Sequence, residues 1–354
     1  MIGTGLPATG RTSAERIGVA LCTYNGAEYL QAQLDSILAQ TVPVDEIVVG
    51  DDGSSDTTLS ILERFRIDAA SRGIRVEIIE NVRNLGYVQN FSETLLRCTA
   101  DILFLSDQDD VWHADRVQVL VERFDAETGL LMLHGDARLV DRTGQPLGST
   151  LLEVLGVHPA ELSLERSGRL LDAVLVRNFV TGATCALRRG LLQSGLPVPR
   201  YWSHDEWLAV VASLARGLDV HRPATIDYRQ HGGNQIGATR RSLLSQLRGL
   251  VLFDPEARSR TAERLASAVA VLDAQHEAIA PAPFRGLAAL TWRMAWSRLA
   301  LYRRADVRTR WIVGDAPRLV GRLANACLAG AGWRGAAAAC RGAWAGLRGH
   351  GLPD

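Results

Sequence analysis

At Ile102-Leu-Phe-Leu-Ser-Asp-Gln-Asp-Asp110, a short apolar run ends in three carboxylates within four residues. The apolar part predicts a buried strand. Because alternate residues of an extended segment point the same way, Asp107 and Asp109 can face one ion together while Gln108 faces elsewhere. Mg²⁺ and Mn²⁺ take oxygen ligands, and one or two carboxylates with a substrate diphosphate would complete their shell. A solvated turn before a helix near His113 explains the same acids, so this stretch alone leaves both interpretations open.

Length and composition favour an intracellular enzyme. The 354 residues are 47% hydrophobic, enough for two core-bearing units, and the formal net charge is zero. The five cysteines are far apart, with no CxxC pair, so neither a zinc site nor a disulfide framework is expected and the cytosol is the natural compartment. Residues 1–16 lack an apolar segment, which predicts a flexible tail and not a signal peptide. No apolar run is long enough to span a bilayer.

The chain contains no lysine, so its 39 basic residues are all arginine. A Walker A loop, a Schiff-base enzyme, a protein kinase and a phospho-aspartate receiver domain each depend on a specific lysine. The composition therefore excludes these four classes.

From residue 17 to about residue 136, apolar strand runs alternate with helical periodicity, which predicts an α/β domain with a mainly parallel sheet flanked by helices. Strands are predicted over residues 17–23, 46–51, 75–79, 102–106 and 130–134, and helices over residues 29–40, 57–72, 88–98 and 114–124. Ligands of such sheets bind at the carboxyl ends of the strands.

Two more strand ends carry polar residues. The first, Cys22-Thr-Tyr-Asn-Gly-Ala-Glu-Tyr29, does not match GxGxxG, so it gives a dinucleotide-dependent oxidoreductase no support. The second places Asp51 and Asp52 beside a glycine, where an acid can accept hydrogen bonds from a base or a ribose. Ser55 or Asp56 there can also cap the following helix.

Four motifs in this order carry a family resemblance: Thr23-Tyr-Asn-Gly, Asp51-Asp-Gly-Ser-Ser-Asp, Asn84-Leu-Gly and Ser106-Asp-Gln-Asp-Asp. Over roughly residues 17–235 the chain resembles inverting family 2 glycosyltransferases with the GT-A fold. The phrase Phe104-Leu-Ser-Asp-Gln-Asp-Asp-Val-Trp112 is closest to the rhamnosyltransferase-like branch, which builds bacterial surface polysaccharides.

The resemblance implies roles for individual residues. Asp107 and Asp109 would form the DxD pair, with Asp107 towards the nucleotide and Asp109 on a Mg²⁺ or Mn²⁺ ion. Gln108 and Gly182, the latter within Arg177-Asn-Phe-Val-Thr-Gly-Ala-Thr184, would border the diphosphate, donor or acceptor. The remaining nucleotide-binding residues would be Thr23, Tyr24, Asn25, Glu28, Asp52 (on the base) and Asn84.

An inverting transfer also needs a base for the acceptor hydroxyl. The helix predicted after Tyr201-Trp-Ser-His-Asp-Glu-Trp207 carries two acids in its first turn. Ser203 and Glu206 match a capping box, which explains Glu206 structurally and leaves Asp205 without such an explanation. The resemblance also makes Asp205 the general base, with Glu206 as the fallback.

A second polar group follows in Tyr228-Arg-Gln-His-Gly-Gly-Asn234. The glycine pair suits a loop that closes over a ligand. Arg229 could pair with phosphate, and His231 could coordinate the metal or touch the diphosphate. A structural role for His231 stays equally open.

Residues 240–354 form a predicted helical, arginine-rich region after a catalytic domain at 17–239. Between residue 285 and the end, 12 arginines minus 3 aspartates give a surplus of nine positive charges. Trp292, Trp296, Leu299 and Tyr302 fall on one helical face beside arginines, which is typical of a helix on an anionic membrane surface. A helical appendage or an oligomer contact explains the same pattern.

The sequence thus predicts a metal-dependent inverting glycosyltransferase that moves one sugar onto a glycan or a polyprenyl-diphosphate-linked acceptor. The expected location is the cytoplasm, either free or peripheral on the inner face of the cell membrane. The resemblance favours dTDP-L-rhamnose as donor, with UDP- or GDP-sugars as alternatives. A non-catalytic scaffold that keeps the fold is the alternative of another class. A sugar-1-phosphate nucleotidyltransferase would need a glycine-rich first loop and a lysine, and a processive synthase would need transmembrane helices and a QxxRW motif. The chain shows none of these features.

Overall fold

A computed structural model of the chain describes residues 15–157 and 178–231. Most of the predicted tail (1–16), the predicted C-terminal region (240–354), Arg177 and Gly232-Gly-Asn234 lie outside the described residues. No helix within the described ranges is long and apolar enough to cross a membrane.

The strands form one mixed sheet, and its mainly parallel pairing confirms the predicted α/β class. The order across the sheet is β3-β2-β1-β4-β8-β6-β9-β5, with β7 paired to β6. The pairs from β3 to β4 and the long β6–β9 pair are parallel, whereas β5, β7 and β8 pair antiparallel. The strands are β1 (Ile17–Thr23), β2 (Glu46–Asp51), β3 (Arg75–Glu80), β4 (Ile102–Ser106), β5 (Val111–Trp112), β6 (Met132–Val140), β7 (Pro146–Thr150), β8 (Ala186–Arg188) and β9 (Leu218–Arg229).

Helices flank this sheet. In the described chain they are α1 (Leu30–Leu38), α2 (Thr58–Ser71), α3 (Tyr87–Arg97), α4 (Arg116–Ala126), α5 (Leu151–Val154), α6 (Leu192–Gly195) and α7 (His204–Leu214), with 3-10 turns at Gly182–Thr184 and Arg189–Leu191. The helix predicted from Ala114 begins two residues later, because β5 pairs with β9 and the His113 N–H then bonds the Thr225 carbonyl.

The core lies around the parallel strands. Every residue of β1, β2 and β4 is buried, as expected for strands that are covered on both faces. Their apolar side chains pack with the buried faces of α1, α2 and α4, and full burial of each large aliphatic side chain stabilises the fold by roughly 1.5–3 kcal/mol. The edge strand β3 is only partly buried and carries charged residues, which discourages pairing with another chain.

Helix α3 sits close to β2 because residue 50 is a glycine. A Cβ atom there would lie 2.1 Å from Thr94 Oγ1. The Asn90 side chain donates to the Gly50 carbonyl at 2.8 Å. This close contact holds the start of α3 beside the carboxyl end of β2.

The strand predicted over residues 130–134 differs from the observed β6, which begins at Met132 and continues to Val140. The extension arises from pairing with β9, which is distant in sequence. The short strands β5, β7 and β8 were not predicted, because each is defined by its partner strand and not by a local apolar pattern.

Candidate active site

Three polar strand ends lie side by side at one edge of the sheet. Strands β2, β1 and β4 are adjacent and parallel, and they end at Asp51, Thr23 and Ser106. The Thr23 hydroxyl donates to Asp51 Oδ2 at 2.7 Å, and both residues are buried. The strand ends therefore lie together, as predicted, and Thr23 is hydrogen-bonded to Asp51 on the adjacent strand.

The loops after β1 and β2 are fastened to each other by Asn25. Its backbone has a positive φ of 47°. The Asn25 N–H donates to Ser54 Oγ at 2.9 Å, and its side-chain oxygen accepts the Ser55 N–H at 2.8 Å. The adjacent Tyr24 side chain is 44% exposed. The loop thus has a fixed backbone that presents an aromatic ring to solvent.

Asp52 shapes the next loop along the edge. Its carboxylate accepts the Leu85 N–H at 2.7 Å, the Gly86 N–H at 2.9 Å and the Asn81 amide at 3.1 Å. Asp52 is 3% exposed, and its carboxylate is occupied by these three donors. Asp52 thereby fixes the Asn84-Leu-Gly loop, and the predicted contact with a base stays a prediction.

Two other predicted nucleotide-binding residues lie at the surface. Glu28 forms an exposed ion pair with Arg142 at 3.0 Å. A hydrogen bond with Tyr29, and then one with Arg142, lower the pKa of Glu28. Asn84 is exposed, and its side-chain oxygen accepts the Gly86 N–H at 3.0 Å. The structure therefore leaves both side chains accessible from solvent.

Gln108 joins the acidic loop to the loop after β1. Its side-chain oxygen accepts the Tyr24 N–H at 2.8 Å, and its side-chain nitrogen donates to the Tyr24 carbonyl at 3.1 Å. Residues 108 and 109 form a bend, and the Gln108 side chain is held by the loop after β1. Contact of Gln108 with the diphosphate, donor or acceptor stays a prediction. In the structure its side chain bonds the backbone of Tyr24.

Two of the acids after β4, Asp107 and Asp110, have a raised pKa. Burial, then the Asp109 carboxylate and then the Asp205 carboxylate raise the pKa of Asp107 to about 7. Burial, then Asp109 and then Asp107 hold the pKa of Asp110 well above its usual range. Asp110 is 1% exposed and directly precedes β5, so it does not lie in the solvated turn that was the alternative interpretation of these acids. This part of the site has an excess of negative charge that a cation would relieve.

His231 lies against the second acid of the pair. Its Nε2 atom is 2.8 Å from Asp109 Oδ2. The imidazole also stacks on Tyr29, with ring centroids 4.8 Å apart. The chain thus brings a histidine to the predicted metal-binding carboxylate from a position 122 residues away.

Arg229 supports this region through backbone groups. Its side chain donates to the Asp109 carbonyl at 2.9 Å and to the Arg142 carbonyl at 3.0 Å, and its backbone N–H donates to Asp110 Oδ1 at 3.1 Å. The residue is 7% exposed, and its guanidinium lies over the Tyr29 ring. This geometry favours a positioning role for Arg229 where the sequence suggested contact with phosphate.

Asp205 occupies the first turn of α7 and is 7% exposed. Its Oδ2 atom accepts the Gly182 N–H at 2.9 Å, and its Oδ1 atom accepts the Glu206 N–H at 2.7 Å. A Cβ atom at residue 182 would lie 3.1 Å from His204 Nε2 and 3.7 Å from Asp205 Oδ2. The predicted base and the predicted donor-or-acceptor glycine are therefore in direct contact.

The capping box predicted at the start of α7 is wrong. Ser203 is the N-cap residue, but its side chain makes no capping hydrogen bond. The Asp205 carboxylate bonds a first-turn N–H instead. Glu206 is 7% exposed and so loses the structural explanation that the sequence offered.

Arg116 is a residue of this region that the sequence analysis missed. It is fully buried at the start of α4, and burial lowers its pKa to about 10. Its position was detectable, because it lies four and eight residues before Leu120 and Phe124 on the buried face of its helix.

The acids and His231 fit a hard divalent cation by their chemistry, since Mg²⁺ and Mn²⁺ prefer carboxylate oxygens and Mn²⁺ also accepts imidazole. Burial, then the Asp109 carboxylate and then the Asp205 carboxylate raise the pKa of Asp107, and a bound cation would offset this effect. Among the described residues, no three His, Cys, Asp or Glu side chains already surround a position for a metal ion. A cation here would therefore take part of its shell from water or a ligand.

Curated relatives include several glycosyltransferases. An uncharacterized glycosyltransferase of Nostoc sp. is 25% identical over 223 residues, covering 62% of this chain and 66% of the relative. The dTDP-rhamnosyl transferase RfbG of Shigella flexneri is 31% identical over 233 residues, covering 62% of this chain and 74% of the relative. An uncharacterized glycosyltransferase of Haemophilus influenzae is 32% identical over 106 residues, with 30% and 31% covered. The chain spans less than two thirds of the length of the Nostoc and Haemophilus relatives.

Solved structures share the fold. TarS 1–349 of S. aureus in complex with UDP-GlcNAc has a TM-score of 0.51 at 15% identity, covering 81% of this chain and 89% of that one. The mannosyltransferase PcManGT of Pyrobaculum calidifontis, in complex with GDP-Man and Mn²⁺, has a TM-score of 0.50 at 20% identity, covering 95% and 81%. Residues 18–195 match the family described as Glycosyl transferase family 2. The match covers half of the chain, includes the polar ends of β1, β2 and β4, and shows that the chain belongs to glycosyl transferase family 2.

Proposed function

We propose that the chain transfers one sugar from a nucleotide-sugar donor with inversion at the anomeric carbon, and that Asp205 is the general base. The observation that carries the proposal is geometric. The Gly182 N–H donates to Asp205 Oδ2 at 2.9 Å, and in the same segment the Cys185 carbonyl accepts the Leu105 N–H of β4 at 3.1 Å. Asp205 is thus held beside the strand that leads into the DxD acids, and after burial and Asp109 its carboxylate also raises the pKa of Asp107. An inverting transfer needs a base and a diphosphate site on the two sides of one sugar carbon.

In the proposed reaction, Asp205 takes the proton of an acceptor hydroxyl. The acceptor oxygen forms a bond to the anomeric carbon while the bond from that carbon to the diphosphate oxygen breaks. The electron pair of the broken bond leaves with the nucleoside diphosphate. Attack from the face opposite the leaving group inverts the configuration. The Gly182 N–H fixes the direction of the Asp205 Oδ2 atom.

A divalent cation fits this proposal, because the leaving diphosphate carries concentrated negative charge that a bound cation stabilises. Asp107 and Asp109 would hold it, with His231 within reach of Asp109. Burial, Gln108 and Arg229 keep the acidic loop in place before any ligand binds.

We propose dTDP-L-rhamnose as the donor, since a dTDP-rhamnosyl transferase is among the relatives at 31% identity. UDP-sugars and GDP-sugars are the alternatives, because structural neighbours bind UDP-GlcNAc and GDP-Man. The acceptor we propose is a glycan or a polyprenyl-diphosphate-linked glycan of a bacterial surface polysaccharide. Several relatives with lower identity also build polysaccharides, such as a poly-beta-1,6-N-acetyl-D-glucosamine synthase of Staphylococcus epidermidis.

A lipid-linked acceptor gives the arginine-rich residues 285–354 a function, namely contact with an anionic membrane from the cytoplasmic side. Their surplus of nine positive charges, 12 minus 3, supports such contact. The full-length protein should sediment with anionic vesicles at low salt and be released as salt screens the attraction. Equal sedimentation with zwitterionic vesicles would contradict the membrane proposal.

A donor screen tests the enzyme proposal. The protein is incubated with dTDP-L-rhamnose, UDP-GlcNAc and GDP-mannose, each with Mg²⁺ or Mn²⁺, and thermal stability and release of nucleoside diphosphate are measured. One donor should raise the melting temperature and be hydrolysed in the presence of metal. Asp107→Asn should remove both effects, whereas Asp101→Asn, at the opposite end of β4, should retain them. If no donor stabilises the protein with either metal, the scaffold alternative replaces the enzyme.

A further inference from the structure

A fully buried arginine links the base segment to the acidic loop. Arg116 Nη1 donates to Thr225 Oγ1 at 2.8 Å, and Nη2 donates to the Ala183 carbonyl at 2.9 Å. The guanidinium carbon lies 4.7 Å from the ring centroid of Trp112. Within the described part of the chain, its hydrogen bonds therefore go to neutral groups that lie on two distant segments.

Burying such a charge is costly, since desolvation opposes it and the partners are neutral. The pKa of Arg116 is nevertheless only lowered to about 10, so the side chain stays protonated at neutral pH. An apolar side chain would fill the same space without this cost, but it could not donate in two directions. The geometry that an arginine adds is a planar fork between two acceptors.

The Nη2 group of Arg116 contacts the segment that holds the proposed base. Ala183 lies in the 3-10 turn Gly182–Thr184, directly after the glycine whose N–H donates to Asp205 Oδ2 at 2.9 Å. Arg116 therefore holds this turn through a carbonyl, while Asp205 is held by the N–H one residue earlier. A shift of the turn would move the Asp205 carboxylate.

The Nη1 group of Arg116 contacts β9, the strand whose last residue binds Asp109 and Asp110. Thr225 lies in β9, and its carbonyl accepts the His113 N–H at 2.9 Å. Four residues later, Arg229 bonds the Asp109 carbonyl and the Asp110 carboxylate. The positive charge of Arg116 also lowers the pKa of Asp110, although burial and the other acids outweigh it.

We propose that Arg116 is a positioning residue that fixes the base-holding turn relative to the acidic loop, so that its loss slows the chemical step more than it weakens donor binding. The inference rests on the proposed function, since it assigns Asp205 as the base. A displacement of about 1 Å at a reacting group can reduce the rate about 10²-fold without a direct contact being lost.

Arg188 provides a matched control. It donates to the carbonyls of Leu130 at 3.0 Å and Phe124 at 2.9 Å, and its guanidinium lies over the Phe124 ring. Because it pairs with Ile102 at the amino end of β4, it lies at the sheet edge opposite the acids. Arg116→Met and Arg188→Met thus each remove a guanidinium that donates to backbone carbonyls and lies over an aromatic ring, although Arg188 also pairs with Glu15 at 2.6 Å.

The experiment compares Arg116→Met, Arg116→Lys, Thr225→Val and Arg188→Met in the full chain. For the donor that turns over among dTDP-L-rhamnose, UDP-GlcNAc and GDP-mannose, kcat and the Kd of the nucleoside diphosphate with Mn²⁺ are measured. Arg116→Met should lower kcat at least about tenfold with Kd changed by less than about threefold, and Arg116→Lys should recover part of the loss. Thr225→Val keeps the charge and should reduce kcat in the same direction. Arg188→Met should lower the melting temperature and leave kcat at the wild-type level.

A second readout does not require turnover. In protein labelled with ¹⁵N-glycine, the Gly182 N–H signal, assigned by its loss in Gly182→Ala, reports the hydrogen bond to Asp205. Arg116→Met or Thr225→Val should shift this signal, and Arg188→Met should not. An unchanged signal, or equal effects of Arg116→Met and Arg188→Met on kcat, would overturn the inference while the proposed function stands. Full activity of Asp205→Asn would overturn the proposed base, even if the Gly182 signal still depends on Arg116.

Discussion

The backbone N–H of Gly182 donates to Asp205 Oδ2 at 2.9 Å, across 23 residues of sequence. This bond fixes the orientation of a carboxylate in the first turn of α7. In the proposed reaction, that orientation decides where an acceptor hydroxyl must bind to give up its proton.

The absence of a side chain at residue 182 is expected to be necessary for activity. A Cβ atom there would lie 3.1 Å from His204 Nε2, and the His204 ring cannot easily move because it stacks on Phe91 with centroids 4.1 Å apart. Gly182→Ala should therefore displace Asp205 and lower kcat about tenfold or more. Gly190→Ala is the control, since nothing lies within 4 Å of its Cβ position. Equal kcat values for the two variants would show that the space at residue 182 is unimportant.

Stability without metal should depend on the ionisation of Asp107. Burial, Asp109 and Asp205 raise its pKa to about 7. As the pH rises from about 4 to about 7, the unfolded chain releases a proton that the folded chain retains, so folding stability falls through this range. Mn²⁺ needs the ionised carboxylate, so the stabilisation by Mn²⁺ should grow as the pH approaches and passes about 7.

Melting temperatures with and without Mn²⁺, at about pH 5.5 and about pH 8.5, check this pH dependence. Asp107→Asn should flatten the metal-free profile and remove most of the Mn²⁺ effect. An equal shift by Mn²⁺ at both pH values in the wild-type protein would contradict the assignment of Asp107.

Asp52 should matter for the loop after β3. Asp52→Ala leaves the Leu85 N–H without its acceptor and removes one of the two acceptors of the Gly86 N–H, which should cost about 1–3 kcal/mol of stability and raise KM for the donor. If loop geometry is its whole role, the order of preference among dTDP, UDP and GDP should stay unchanged in a binding assay. A changed order would instead support the predicted contact with the base.

Asp45→Ala is the matched control for Asp52→Ala. The Asp45 carboxylate accepts the Ile17 N–H at 2.6 Å at the amino end of β1, far along the strand from Thr23. Its loss should reduce stability without raising KM for the donor.

The two contacts of His231 can be separated by substitution. His231→Phe keeps an aromatic ring that can stack on Tyr29 but removes the Nε2 atom beside Asp109, whereas His231→Ala removes both. If His231 helps to hold the metal, both variants should weaken Mn²⁺ binding about tenfold or more in calorimetric titrations. Wild-type Mn²⁺ affinity in His231→Phe would show that the imidazole is only structural.

The part of the fold that could be predicted is the part with a strong local pattern. Strands β1, β2 and β4 read as uninterrupted apolar runs, because both of their faces are covered by helices. Their polar ends followed from topology, since parallel neighbours end at the same edge of a sheet. The short strands and the extension of β6 depended on partners distant in sequence.

The site was predictable as a set of residues but not as a set of contacts. Asp52 and Arg229 were expected to bind ligand. The sequence did not predict their contacts within the chain, which for Asp52 are two backbone N–H groups and the Asn81 amide, and for the Arg229 side chain are two carbonyls. The Ser203–Glu206 pattern predicted a capping box, but the Asp205 carboxylate takes the first-turn N–H. Arg116 gave a signal as a charged residue in phase with an apolar helix face, although its acceptors lie 67 and 109 residues away.

The proposed base can be examined by exchanging a single oxygen of its carboxylate. Asp205→Asn keeps an oxygen that can accept the Gly182 N–H but can no longer take a proton, and Glu206→Gln makes the same change at the alternative acid. The measurement is the rate of sugar transfer with the donor found in the screen, together with the Kd of its nucleoside diphosphate. We expect Asp205→Asn to lose at least about 10²-fold in rate with Kd nearly unchanged, and Glu206→Gln to lose much less. Near-normal turnover of Asp205→Asn would contradict the assignment, and loss confined to Glu206→Gln would move the base to its neighbour.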